Sequence, residues 1–220
     1  MKIQYLTSEN LNFWINNILK RLEGTRGRTK LPQLDESSVL LWLDPQKIFL
    51  SSSSPAFIPS WSAVEQNCIK LAQHALFSGR KVFVTKHIHP PLDEGGSIKH
   101  FFGRLIYETD PLSEFIDYVT SIEKRGATII KKSRHSAFAG GELVNLLKSY
   151  GVKVVIIIGV QAHLCVLATA VEATSYDFIP VVVADAISSG EEFQHISTLE
   201  SLSGGISCIM TTEEVMEKWH

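Results

Sequence analysis

The sequence predicts an α/β fold, a doubly wound parallel sheet with helices on both faces, and three observations carry that expectation. From Val39 onward, short runs that are apolar throughout alternate with stretches of helical periodicity. Those runs are rich in Val and Ile and lack polar alternation, as strands buried on both faces do. Glycines punctuate the alternation, with Gly79 and Gly151 each closing a helix just ahead of a strand.

Residues 1–38 read as a helical extension ahead of one domain spanning 39–220. In the extension Leu11, Trp14, Ile15, Ile18, Leu19 and Leu22 recur at helical spacing, with Ser8 or Asn10 as candidate N-cap. That stripe must be covered by the chain's own core or by a neighbouring subunit, and it is the ground for expecting a homo-oligomer. The basic stretch Lys20, Arg21, Arg26, Arg28 and Lys30, opposed by Glu23, reads as a solvated loop; contact with an anionic group is the sharper alternative. Expected strands follow at Val39–Leu43, Lys81–Thr85, Ala127–Ile130, Lys153–Ile158, Ile179–Ala184 and Ile206–Met210. Expected helices are Trp61–Phe77, Glu142–Tyr150, Leu164–Ser175, Glu191–Leu202 and Thr212–Lys218, and Ser51–Ser54 is a loop.

With 45% hydrophobic residues in 220, one core is ample and no linker divides it. A formal charge of −2 gives no case for nucleic acid or an anionic membrane surface. The apolar run around residues 154–160 is too short to span a bilayer, and the N-terminus lacks a signal-peptide pattern. Three widely spaced cysteines, Cys68, Cys165 and Cys208, form no CxxC pair, which argues against a disulfide framework and for a reducing cytoplasm.

In an open parallel sheet, ligands bind beyond the carboxyl ends of the strands. Here those ends supply Asp44 and Gln46, then Lys86, His87 and His89, then Lys131 and Lys132, and finally Cys165 past the turn at Gly159. A strand–turn–helix crossing aims backbone N–H groups and a helix dipole at its mouth, which favours a thiolate there. An Asp can take the thiol proton while a Lys ammonium lowers the thiol pKa. Amides around Gln161 and Cys165 could hold a developing oxyanion.

Three segments carry a family resemblance. Leu43-Asp44-Pro45-Gln46-Lys47-Ile48-Phe49 resembles the D-x-Q-x-x-F opening of the isochorismatase-like hydrolases, and Lys132-Ser133-Arg134-His135-Ser136-Ala137-Phe138 resembles their K-x-x-x-S-A-F segment. Gly159-Val160 through Cys165-Val166, followed by Ala184-Asp185-Ala186 and His195, is similar to their G-V-x-x-x-x-C-V and D-A…H pattern. The resemblance implies a three-layer α/β/α fold with strand order 3-2-1-4-5-6, Asp44 as acid/base, Lys132 as activating cation and Cys165 as nucleophile. It also implies a cis peptide between Val160 and Gln161 and an oxyanion held by the amides of Gln161 and Cys165. Adjacent side chains on a strand point opposite ways, so one of Lys131 and Lys132 faces the site, and the motif selects Lys132.

The family's branches differ in chemistry. Nicotinamidases and N-carbamoylsarcosine amidases open a C–N bond through a cysteine thioester; isochorismatases proper hydrolyse a vinyl ether by general acid catalysis and resemble them with Gly at the cysteine position. Val183-Ala184-Asp185-Ala186, Thr211–Val215, Ala162-His163 and the Trp of the extension look closer to the second branch, and Cys165 to the first. A thiol is useful only in a covalent step, so a small amide or ureide is the expected substrate. The alternatives are vinyl-ether hydrolysis releasing pyruvate and a non-catalytic scaffold. No cofactor is expected. A divalent metal at His87 and His89, with His100 as a further partner, is the weaker reading, because His87 stands where the nicotinamidase segment has Asp. Gln46, Phe49, His87, Arg104 and His163 are candidate substrate contacts, with specificity placed in the loop from His87 to Asp110.

Overall fold

The computed structural model describes residues 3–26 and 30–219. Six strands, β1 (Ser38–Leu43), β2 (Val82–His87), β3 (Thr128–Lys132), β4 (Val154–Val160), β5 (Ile179–Ser188) and β6 (Cys208–Met210), form one sheet in the order β3-β2-β1-β4-β5-β6. Every neighbouring pair is parallel. The chain therefore winds outward from β1 to β3, crosses back, and winds outward again from β4 to β6. The order reverses between β1 and β4, which is where a crevice opens in such sheets.

Right-handed crossovers in opposite directions put helices on opposite faces. The helices are α1 (Leu11–Arg21), α2 (Glu23–Arg26), α3 (Lys47–Leu50), α4 (Trp61–Phe77), α5 (Gly96–Phe102), α6 (Asp117–Glu123), α7 (Glu142–Ser149), α8 (Leu167–Ser175), α9 (Glu192–Ser203) and α10 (Thr212–Lys218). Helix α4 packs on β1, β2 and β5 and is joined by α10, while α8 packs on β5 and against α9. The central strands β1 and β4 are buried along their whole length, which accounts for their unbroken apolar sequences. Capping of α10 is explicit: the Thr211 hydroxyl accepts from Glu214 N–H while the Glu214 carboxylate takes Thr211 N–H.

The extension is no separate body. Leu11, Trp14, Ile15, Ile18 and Leu22 belong to the same buried core as the sheet. The stripe is thus covered by the chain itself, and the ground for expecting a second subunit there is removed. Asn10 sits at the N-cap of α1, but its side chain turns back to accept from Thr7 N–H instead of capping the helix. The basic segment is corrected in part: Arg21 pairs with Glu200, and Arg26 pairs with Glu214 and donates to the Ile209 carbonyl. Arg28 of that segment lies outside the described residues. Four short helices, α2, α3, α5 and α6, were not expected; each is too brief to display a helical period. Among the described residues, no helix is long and apolar enough to cross a membrane.

Candidate active site

Strand β1 ends at Leu43 and the chain turns at once. Asp44 adopts a left-handed conformation with φ of 50°, uncommon for a residue bearing a Cβ and more tolerable for Asp than for most. The turn delivers its carboxylate to Thr85 on β2: Asp44 N–H donates to Thr85 Oγ1 at 3.0 Å, and that hydroxyl donates to Asp44 Oδ1 at 2.6 Å. Gln46 has a different task from the one expected. Its amide donates to the carbonyls of His87 (3.1 Å) and Ser113 (2.9 Å) and accepts from His87 N–H (2.6 Å). Wholly buried and spent on backbone, it fastens the ends of β1 and β2 together and has nothing left to offer a substrate.

Strand β4 closes on β1 at Gly159, where φ is 108° and a Cβ would lie 2.2 Å from the Leu43 carbonyl oxygen. Only glycine permits that approach. The following peptide, Val160–Gln161, is cis. The chain then makes one π-helical turn, Ala162–Val166, before α8 begins. Such turns recur at functional sites because they re-aim side chains. Cys165 lies on this turn.

The last residue of β3, Lys132, joins the two. Its Nζ stands 2.8 Å from Asp44 Oδ2, 3.4 Å from Cys165 Sγ and 3.2 Å from His87 Nδ1, and it donates to the carbonyls of Arg134 and His135 at 3.1 Å each. Lys131 faces the other way, paired with Glu108 at the surface, as strand alternation requires. Among the described residues, one trio of metal-type donors converges: Asp44, His87 and Cys165, with ligand atoms within 4.8 Å of one another. Those are the same three groups that surround Nζ. The donor set fits an ammonium, and a metal ion would have to displace it against its charge. His89 lies near His87, with ring centroids 5.2 Å apart, whereas His100 packs on Phe101 instead.

Burial pushes the Cys165 thiol up to about 12; the Asp44 charge adds to this, and Lys132 offsets it only in part. Burial and Asp44 thus outweigh Lys132 and favour the protonated thiol at rest, against the stabilised thiolate expected from the strand–turn–helix position. Burial also works against the Lys132 ammonium, yet Asp44 and the sulfur outweigh it and leave its pKa raised. His87 is held well below its ordinary value, by burial first and then by Lys132, so its ring is neutral. Because the ammonium donates to Nδ1, the ring proton of His87 belongs on Nε2.

A cavity of about 380 Å³ opens over the sulfur. Cys165, Gln161 and His163 form one wall, with Phe49, His87 and His89 beside them. Ile98, Phe102, Arg104 and Ile106, from the segment after β2, and Gly190, Glu191 and Gln194, from the segment after β5, complete its lining. Phe49, His87, Arg104 and His163 thus border the cavity, although Arg104 is already paired with Asp110. Sequence reasoning missed His135, whose Nδ1 lies 4.0 Å from the sulfur and whose ring meets Phe102 edge-on. It also missed Thr85. The signals were present: His135 stands inside the quoted lysine motif, and Thr85 is the first polar residue after the apolar run Val82–Val84.

An Isochorismatase domain family model matches residues 38–214. A probable isochorismatase from Pseudomonas chlororaphis is 30% identical over 182 residues, covering 82% of this chain and 86% of that protein. Nicotinamidase 3 from Arabidopsis thaliana is 28% identical over 179 residues, covering 81% and 86%. In fold, the chain superposes on a cysteine hydrolase from Pseudomonas syringae pv. phaseolicola 1448A with a TM-score of 0.78 at 19% identity, covering 87% of this chain and 98% of that one. The chain belongs to the isochorismatase family of hydrolases.

Proposed function

We propose that this isochorismatase-family hydrolase opens a C–N bond of a small amide or ureide through a thioester on Cys165. The observation that carries this reading is the sulfur set in a cavity wall with the Lys132 ammonium 3.4 Å behind it and the Asp44 carboxylate 2.8 Å beyond that ammonium. No cofactor is required by this chemistry.

The thiol is protonated at rest, so Asp44 takes its proton as the sulfur attacks the carbonyl carbon. The carbonyl oxygen then carries the negative charge, and the amides of Gln161 and Cys165 receive it. Collapse breaks the C–N bond, Asp44 returns the proton to the departing nitrogen, and the acyl group stays on sulfur. Water adds to the thioester, giving its proton to Asp44, and the sulfur leaves and regains that proton. Lys132 keeps a positive charge beside both groups throughout, favouring the thiolate at the moment it forms.

The cavity's charge supports a neutral substrate. His87, His89 and His135 are all held below their ordinary values, mainly by burial, Arg104 is committed to Asp110, and Glu191 adds a carboxylate. An acid with two carboxylates would find in that lining one cation, Arg104, and would share it with Asp110. One observation favours a second reading: the likeness to the Pseudomonas chlororaphis protein, which bears an isochorismatase name. In that reading Asp44 protonates a vinyl ether and the sulfur is idle. Assaying amides, ureides and isochorismate against wild type and Cys165→Ala separates the two. Amide hydrolysis that disappears in Cys165→Ala supports the thioester route; pyruvate release that survives it and vanishes in Asp44→Asn overturns that route.

A further inference from the structure

The N-terminal extension reaches the cavity through a chain of hydrogen bonds. Ser60 Oγ accepts the N–H groups of Tyr5 (3.1 Å) and Leu6 (3.2 Å), seating Tyr5 beside the end of β5. The Tyr5 hydroxyl oxygen accepts from Ser189 N–H at 3.2 Å, so its hydrogen is left for His195 Nδ1, 3.0 Å away. Trp14 lies on the His195 ring, centroids 4.7 Å apart, and its Nε1 donates to Glu192 Oε1 at 2.7 Å. Ser189 in turn faces the site: its Oγ accepts His163 N–H at 3.4 Å and stands 2.9 Å from His163 Nδ1. His163 borders the cavity two residues before the sulfur, and Gly190, Glu191 and Gln194, which follow Ser189, border it too.

We propose that Tyr5 is a positioning residue of the cavity: through Ser189 it holds His163 in one orientation, with Nδ1 accepting from the serine hydroxyl and the ring proton on Nε2. The extension thereby shapes the wall that receives the substrate, a task the residues of the α/β core do not perform alone. Burial pushes Tyr5 up to about 12 and His195 down to about 3, so both stay neutral through the middle of the pH range and the network is a brace, not a switch. The consequence for substrate affinity rests on the hydrolase reading above, whereas the state of the His163 ring does not.

The test has two arms. Nitrogen-15 NMR of histidine-labelled protein without any substrate is expected to show His163 as the Nε2–H tautomer, and a mixture of tautomers in Ser189→Ala and Tyr5→Phe. An Nδ1–H tautomer in the wild type, or unchanged His163 signals in both variants, overturns the proposal. With a hydrolysed substrate, Tyr5→Phe is expected to raise KM about fivefold with kcat within about twofold, the scale of one lost hydrogen bond. Thr25→Val removes a hydroxyl that meets Ser203 Oγ at 2.7 Å elsewhere in the extension; it is expected to lower the melting temperature without moving KM. Equal KM changes in both variants would make the extension merely structural and overturn the proposal. Absence of turnover on every substrate class would count against the hydrolase reading alone, since the NMR arm decides the brace independently.

Discussion

Two walls of the cavity are built on opposite principles. The inner wall comes from the ends of β1, β3 and β4, where Cys165 meets the cavity and Asp44 and Lys132 stand behind it. All three are nearly inaccessible: Asp44 is 0% exposed, Lys132 6% and Cys165 4%. Each is fixed by more than one contact, and the Gly159 approach leaves the backbone no room to drift. The outer wall comes from the segment between β2 and α6, held by Gln46 on the Ser113 carbonyl, by His89 N–H on the Ile106 carbonyl and by Arg134 on Asp93. Several apolar side chains of that segment stand in solvent, with Leu92 95% exposed, Phe101 76% and Phe102 52%, and of these Phe102 borders the cavity. A wall anchored in the sheet suits bond making. A wall of short helix and loop suits selection among substrates, because its changes leave the core untouched.

That contrast can be broken at either wall. The largest effect is expected at the inner one: Cys165→Ala or Asp44→Asn should lower amide turnover by ~10³-fold or more. The melting temperature should stay near-native in Cys165→Ala and fall in Asp44→Asn, which strands the buried Lys132 ammonium. Retained activity in either variant would deny the inner wall its chemical role. Gly159→Ala is the structural counterpart. Its Cβ would meet the Leu43 carbonyl oxygen at 2.2 Å, so a loss of about 3 kcal/mol or more in urea unfolding is expected. A neutral outcome would mean that β1 and β4 can separate without harm.

Stability against pH sharpens the same comparison, because two buried histidines sit on the sheet side of the molecule, His87 in the cavity lining and His195 behind it. His195 is lowered from 6.5 to about 3 by burial, and His87 is lowered well below 6.5. Below the unfolded value the unfolded chain takes up protons that the folded chain refuses. Their contribution is therefore complete above that value and is lost as the pH falls toward the folded ones. The unfolding free energy from urea titrations should decline from pH 6 to 4 by about 1.4 kcal/mol per unit through His195, with His87 acting in the same direction. His195→Gln should remove the His195 share of that slope. An unchanged slope would show that His195 titrates normally. At the outer wall the smallest effect is expected: Phe102→Ala should raise KM about fivefold and leave kcat and stability nearly unchanged.

The inner wall was legible in the sequence and the outer one was not, for a physical reason. Strand ends in a parallel sheet converge whatever the details, so an Asp, a Lys and a Cys following separate apolar runs announced themselves. The end of Trp61–Phe77 and both limits of Thr212–Lys218 were equally plain from periodicity and punctuation. Helices such as Gly96–Phe102 are too short to leave a period, and their place over the sulfur depends on long-range contacts such as Gln46 to Ser113. Gln46 also shows how a motif residue at the right strand end can serve the backbone instead of the ligand. The thiol's resting state was hidden for a related cause, since desolvation depends on everything packed around it.

The most direct measurement is rapid-quench intact-mass analysis during turnover of an amide substrate, followed by peptide mapping. The account predicts a transient adduct of the acyl mass, located on Cys165 and absent from Cys165→Ala. Steady hydrolysis with the sulfur unmodified at every quench time, and undiminished in Cys165→Ala, would contradict it.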